Sequence, residues 1–221
     1  LAVALYALMR AGLPPWFVSR TGLAASVQGE ATRALLPCAL LVLGMSTVRP
    51  DATALFLAVA YIAAQTLLVA WLRASEWLPV VAALGLALVE AVWHVQYSHS
   101  EGLGSGLPAF AGLYLVFSLY PFLVARSFPQ ASGPWAAAVL SGVAHGVLVW
   151  DTARGRWPDG PLGLIPLAFA VGPTLSALWA SHRNPDGPGR LSQLAWLWGG
   201  TLLFLTASLP AQFHDDWLTV G

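Results

Sequence analysis

Residues 52–72 read ATALFLAVAYIAAQTLLVAWL, without a single charged side chain. At about 1.5 Å of rise per residue, a helix of this length crosses about 30 Å of hydrocarbon. The apolar run is continuous and does not alternate every second residue, so it reads as a helix and not as a barrel strand. Moving outward, the same signature recurs at residues 31–48, 77–97, 107–125, 134–150, 161–181 and 191–213. Residues 107–125 and 161–181 also lack charge. Residues 31–48 are short and carry Arg33 near their start, where a long side chain can snorkel to the interface. Residues 134–150 are also short, which leaves a tilted or re-entrant segment open there. Residues 1–9 are apolar but too short to span and read as the tail of an upstream span. The expected fold class is therefore all-α, a polytopic transmembrane helical bundle of about seven complete spans plus an N-terminal partial span. It forms one integral membrane domain over residues 1–221, read as a fragment of a longer chain.

Composition agrees. Hydrophobic residues are 57% of the chain and charged residues 9%, where soluble domains carry roughly a quarter charged. So little charge cannot coat an aqueous surface of this size, and the expected solvent partner is the lipid bilayer. A net charge of zero gives no footprint for nucleic acid. The single cysteine, Cys38, cannot make an internal disulfide or a zinc site and reads as a small buried hydrophobe. No cofactor or metal is expected.

The connectors carry turn chemistry: Arg49-Pro50-Asp51, Ser132-Gly133-Pro134, Pro158-Asp159-Gly160 and Asn184-Pro185-Asp186-Gly187. Trp71 and Trp77 bracket one turn, Trp150 and Trp157 bracket the 151–156 connector, and Trp135, Trp179 and Trp217 fall near other span ends. That is the interfacial belt expected of indoles. Alternating the connectors puts Arg10, Arg20, Arg33, Arg73, Arg126, Arg183 and Arg190 on one side and Arg49, Arg154 and Arg156 on the other. The arginine-rich side is expected to be cytoplasmic.

Candidate chemistry sits in few residues. Glu90 and His94 are four apart in one span and share a helix face, followed by Gln96 and His99. Ionisable groups inside a span are costly and face the bundle interior or a water-filled cavity. His145 lies in a third polar position, flanked by Gly142 and Gly146, whose spacing lets helices approach closely. His145 is expected to meet Glu90 or His94 across such a contact. Glu90, His94 and His145 thus form the candidate intramembrane polar site, against the alternative of a water-satisfied pair at a helix end. Gln65 reads as helix–helix glue. Pro121, Pro166, Pro173 and Pro210 fall inside spans, where proline frees a carbonyl and kinks the helix. The glycine-rich Gly102–Gly106 stretch lacks the Lys-Ser/Thr of a phosphate cradle. His214-Asp215-Asp216 reads as a solvated helix-end cap. No residue is assigned as catalytic.

The end of the chain, LLFLTASLPAQFHDDWLTVG from Leu202 to Gly221, has an apolar span running into Pro210, Gln212, Trp217, Thr219 and Gly221. This segment resembles a recurring one in the large predicted bacterial membrane proteins of domain of unknown function 2339. The likeness is motif-like over about the last twenty residues and otherwise lies in the many-span layout. It implies a bacterial multi-pass protein of the inner (cytoplasmic) membrane, whose missing parts would supply further helix–helix partners. It implies no reaction, substrate or catalytic residue.

Three functional classes are compatible with these residues. An integral membrane protein with no dedicated activity comes first, because Glu90 is the sole carboxylate well inside a span. A transporter or channel-like module with a polar site around Glu90 and His94 comes second. A membrane-embedded enzyme on envelope glycans or lipids, using outward residues such as His99, Glu101, Asp215 and Asp216, comes third. No small-molecule substrate is assigned.

Overall fold

The computed structural model describes residues 25–47, 51–101, 106–183 and 189–212. These form seven helices and, among the described residues, no strand: α1 Ala25–Thr47, α2 Ala52–Leu72, α3 Leu78–Glu101, α4 Leu107–Val124, α5 Gly133–Arg156, α6 Leu164–Arg183 and α7 Arg190–Gln212. The chain is an all-α polytopic bundle. Helices α2 to α7, six in all, are long and apolar enough to cross a membrane. At the seventh expected span, α1, the apolar stretch among the described residues is Leu35–Met45. The partial span expected at residues 1–9 lies outside the described residues.

Local chemistry sets the helix starts. Asp51 sits extended (φ −65°, ψ 128°) and its Oδ2 accepts from Ala54 N at 2.8 Å, capping α2. Proline in the first turn opens α4 and α5, where its missing N–H costs nothing. Pro166 also falls in a first turn, that of α6, and not in a span interior as expected from sequence. Pro37, Pro121, Pro173 and Pro210 are the prolines inside helices among the described residues.

The cross-helix contacts give each helix its direction. Tyr97 at the end of α3 donates to Met45 O near the end of α1 (2.6 Å). Tyr120 of α4 donates to Leu67 O of α2. A Cβ on Gly200 of α7 would meet Val139 of α5, and one on Gly142 of α5 would meet Phe204 of α7. Pairs in which both numbers rise together mean parallel neighbours. So α1, α3, α5 and α7 run one way and α2, α4 and α6 the other. Arg73, Arg126, Arg183 and Arg190 collect at one end of the bundle, Arg154 and Arg156 at the opposite end.

Helix α3 is the axis. Of its span 67% is buried, against 28% for α2 and for α7. Around it, Ala82, Ala83, Leu86, Val89 and Trp93 are sealed against α1, α2, α4 and α5. The Phe56 and Trp93 rings meet edge to face with centroids 4.8 Å apart. Gly85 leaves room for α1: a Cβ there would sit 3.1 Å from Cys38 Sγ and 3.7 Å from Cys38 Cβ. On the far side α6 and α7 pack antiparallel, with Trp135 of α5 clasped between Phe122 and Trp179. Trp135 is thus buried, a correction to its reading as an interfacial ring. Trp71, Trp77 and Trp157 do stand exposed at helix ends.

Two features differ from expectation and shape the bundle interior. The expected short span 134–150 is a 24-residue helix, α5, that continues to Arg156. Residues 151–156 are therefore helix, not connector, and Asp151 has a helical face to present. The expected close approach at Gly142 and Gly146 is also different in kind. These glycines receive the edges of Tyr114, Phe169 and Phe204, while backbone meets backbone elsewhere, at Gly133.

Candidate functional site: a buried acid–imidazole contact between parallel helices

A Cβ at Gly133 would lie 1.8 Å from the Glu76 carbonyl oxygen. Only glycine permits that approach, and it pins the first turn of α5 to the turn just before α3. The Glu76 carboxylate reinforces it by accepting from the backbone N–H of Ser132 and Gly133. A carboxylate on the donors at a helix N-terminus satisfies orphan N–H groups and complements the helix dipole. With both starts fixed and the helices parallel, equal steps along each reach equal depth. Glu90 is twelve residues after Leu78 and His145 twelve after Gly133, about 18 Å along each axis.

There the two side chains meet. His145 Nε2 lies 2.9 Å from Glu90 Oε2, with side-chain exposures of 0% and 1%. The approach is short but off the axis of the ring N–H. By angle, neither His145 Nε2 nor either Glu90 oxygen makes a hydrogen bond among the described residues. We take the distance as a close electrostatic contact and not as a formed hydrogen bond. The other ring nitrogen is fully engaged: Nδ1 is 2.7 Å from Ser141 O and 3.1 Å from Ser141 Oγ. A carbonyl only accepts, so Nδ1 carries a proton. Nε2 is the ring atom turned to the Glu90 carboxylate.

One turn further along α3, His94 meets a second carboxylate, here through a hydrogen bond. Its Nε2 lies 2.8 Å from Asp151 Oδ2, with the imidazole 7% and the carboxylate 61% exposed. The ring edge of Phe110, from α4, closes the remaining side at 5.8 Å between centroids. Glu90 and His94 share a face as their spacing requires, yet each finds its close partner on α5. His94, read as a helix-end residue, is buried, as is Glu90.

The other sequence candidates sit elsewhere. Gln96 is exposed, and Gln65 is exposed on the outer face of α2, away from any helix contact expected of glue. The side chains of His99 and Glu101, residues 102–105, and His214-Asp215-Asp216 lie outside the described residues. Sequence reading missed Asp151 and Ser141. Ser141 carried a usable signal, being one turn before His145, where a hydroxyl and its carbonyl reach an imidazole. Among the described residues, no three His, Cys, Asp or Glu side chains gather as a metal would require.

Comparison of the chain with family models, with curated proteins and with solved structures gives no match to any of them.

Proposed function

We propose that this chain is a proton-translocating membrane module of the transporter or channel type, in which Glu90 and His145 exchange the proton. The observation that carries the reading is the 2.9 Å contact of Glu90 with His145, sealed between α3 and α5 and unsatisfied by angle. Buried polar atoms are nearly always hydrogen-bonded, and an ionisable side chain within a span is costly to keep. Ser141 holds the Nδ1 side of the ring, so His145 presents Nε2 to the carboxylate at a distance across which a proton can pass. Its depth supports the same reading, because a merely structural pair is better tolerated at the rim, where water solvates it.

The test is proton flux. The protein is reconstituted in phosphatidylcholine vesicles with an entrapped pH dye, a potassium-clamped potential and an imposed pH gradient. Wild type is expected to dissipate the gradient faster than protein-free vesicles, and Glu90→Gln and His145→Gln no faster than them. Wild-type flux equal to that of empty vesicles, or undiminished flux in Glu90→Gln, overturns the reading.

A further inference from the structure

We infer that Asp151 and His94 form the port through which protons pass between solvent and the buried Glu90–His145 pair; this rests on the proton-translocating reading above. The inference stands on a gradient of exposure across two acid–imidazole contacts that α3 and α5 stack one turn apart. Asp151 is 61% exposed, His94 7%, Glu90 1% and His145 0%. Two of the three steps are direct contacts, 2.8 Å from Asp151 to His94 and 2.9 Å from Glu90 to His145. The middle step joins His94 to Glu90, one turn apart on the same face, where side chains start about 5–6 Å apart at Cβ. The described groups against His94 are Asp151 from α5 and the apolar Phe110 edge from α4, and Glu90 lies one turn back on its own helix.

Imidazole suits the middle position because the ring can take a second proton and turn about Cβ–Cγ. A proton on the Asp151 carboxyl passes to His94 Nε2, giving an imidazolium, and the turned ring hands that same proton to the Glu90 carboxylate. One O–H bond breaks and one N–H forms, then that N–H breaks and one O–H forms, so a single proton moves inward. The ring turns back in its starting tautomer. Asp151 touches no final acceptor and acts as the antenna that collects protons from bulk water. Its position on the surface end of α5 places it where none of the buried groups can reach.

The experiment is the same flux assay at low buffer, with Asp151→Asn, Asp151→Glu and His94→Gln beside Glu90→Gln. Asp151→Asn is expected to slow flux about tenfold or more, the low end of what a positioned proton donor contributes, and Asp151→Glu to restore it. Adding a membrane-impermeant weak acid on the Asp151 side should accelerate Asp151→Asn toward wild type, because a mobile donor replaces the lost carboxyl; a purely structural defect would not respond. Glu90→Gln should stay silent at any buffer concentration. Asp151→Asn at wild-type flux, or slowed flux that weak acid does not rescue, overturns the port while Glu90→Gln silence keeps the translocation reading. Undiminished flux in Glu90→Gln removes the reading itself.

Discussion

A carboxylic acid beside an imidazole in the middle of a bundle has two arrangements that are neutral overall, and one proton converts between them. Either way the pair avoids the lone-ion cost of about 2.5–3.5 kcal/mol that insertion scales assign to a charged residue at mid-span. Removing one partner is different in kind. Glu90→Leu leaves the His145 ring nitrogen buried against apolar side chains and is expected to cost about 3–5 kcal/mol, as for other broken buried pairs. Replacing both, in Glu90→Leu/His145→Leu, should recover most of that, since apolar substitutes for a whole buried pair are often neutral or stabilising. Unfolding in detergent by heat or by sodium dodecyl sulfate measures both. A stable double variant that moves no protons assigns the pair to function, whereas a double variant as weak as the single assigns it to packing.

Between helices, the consequence of Gly133 is register. Gly133→Ala forces a methyl into the Glu76 carbonyl oxygen, so the first turns of α3 and α5 must separate. Overpacking of this type costs about 1–3 kcal/mol. Because the same contact sets the depth of Glu90 and His145, proton flux is expected to fall together with melting temperature. Gly142→Ala meets only the ring edges of Tyr114 and Phe204, at 3.1 and 3.3 Å; it should perturb both less, and the reverse order would sink the register argument. The same comparison separates what was legible in sequence from what was not. Length and continuous hydropathy are enough to place α2 to α7, since a span must satisfy its own backbone inside lipid. They do not place the end of α5, because Asp151, Arg154 and Arg156 look like a connector until the helix is seen to run on. Glu90, His94 and His145 stand out as costly residues within spans. That Glu90 touches His145, and that His94 touches Asp151, depends on a parallel register set by a glycine and a carbonyl, which no single-chain pattern encodes. Trp135 shows the same limit, since an indole near a span end reads as interfacial whether or not Phe122 and Trp179 cover it.

Across the whole molecule, alternating helix directions make a topological statement that can be checked without knowing any substrate. The turn holding Gln130 lies with Arg73, Arg126, Arg183 and Arg190, and the turn holding Asp159 with Arg154 and Arg156. In a Cys38→Ala background, Gln130→Cys and Asp159→Cys should react with a membrane-impermeant maleimide from opposite faces, Gln130→Cys from the cytoplasmic side if arginine bias sets orientation. Labelling of both from one face would contradict an odd number of crossings between them. The notch at Gly85 offers a covalent handle on the same architecture. A Cβ placed there stands 3.7 Å from Cys38 Cβ, within the roughly 3.5–4.5 Å that a disulfide requires. Gly85→Cys should therefore lose both thiols on mild oxidation and regain them with reductant, counted by a thiol reagent; thiols that persist would mean α1 does not lie against α3. Success would turn the first helix into a latch, fastened or released in one preparation, so that any activity of the bundle can be read with that helix tethered and then set loose.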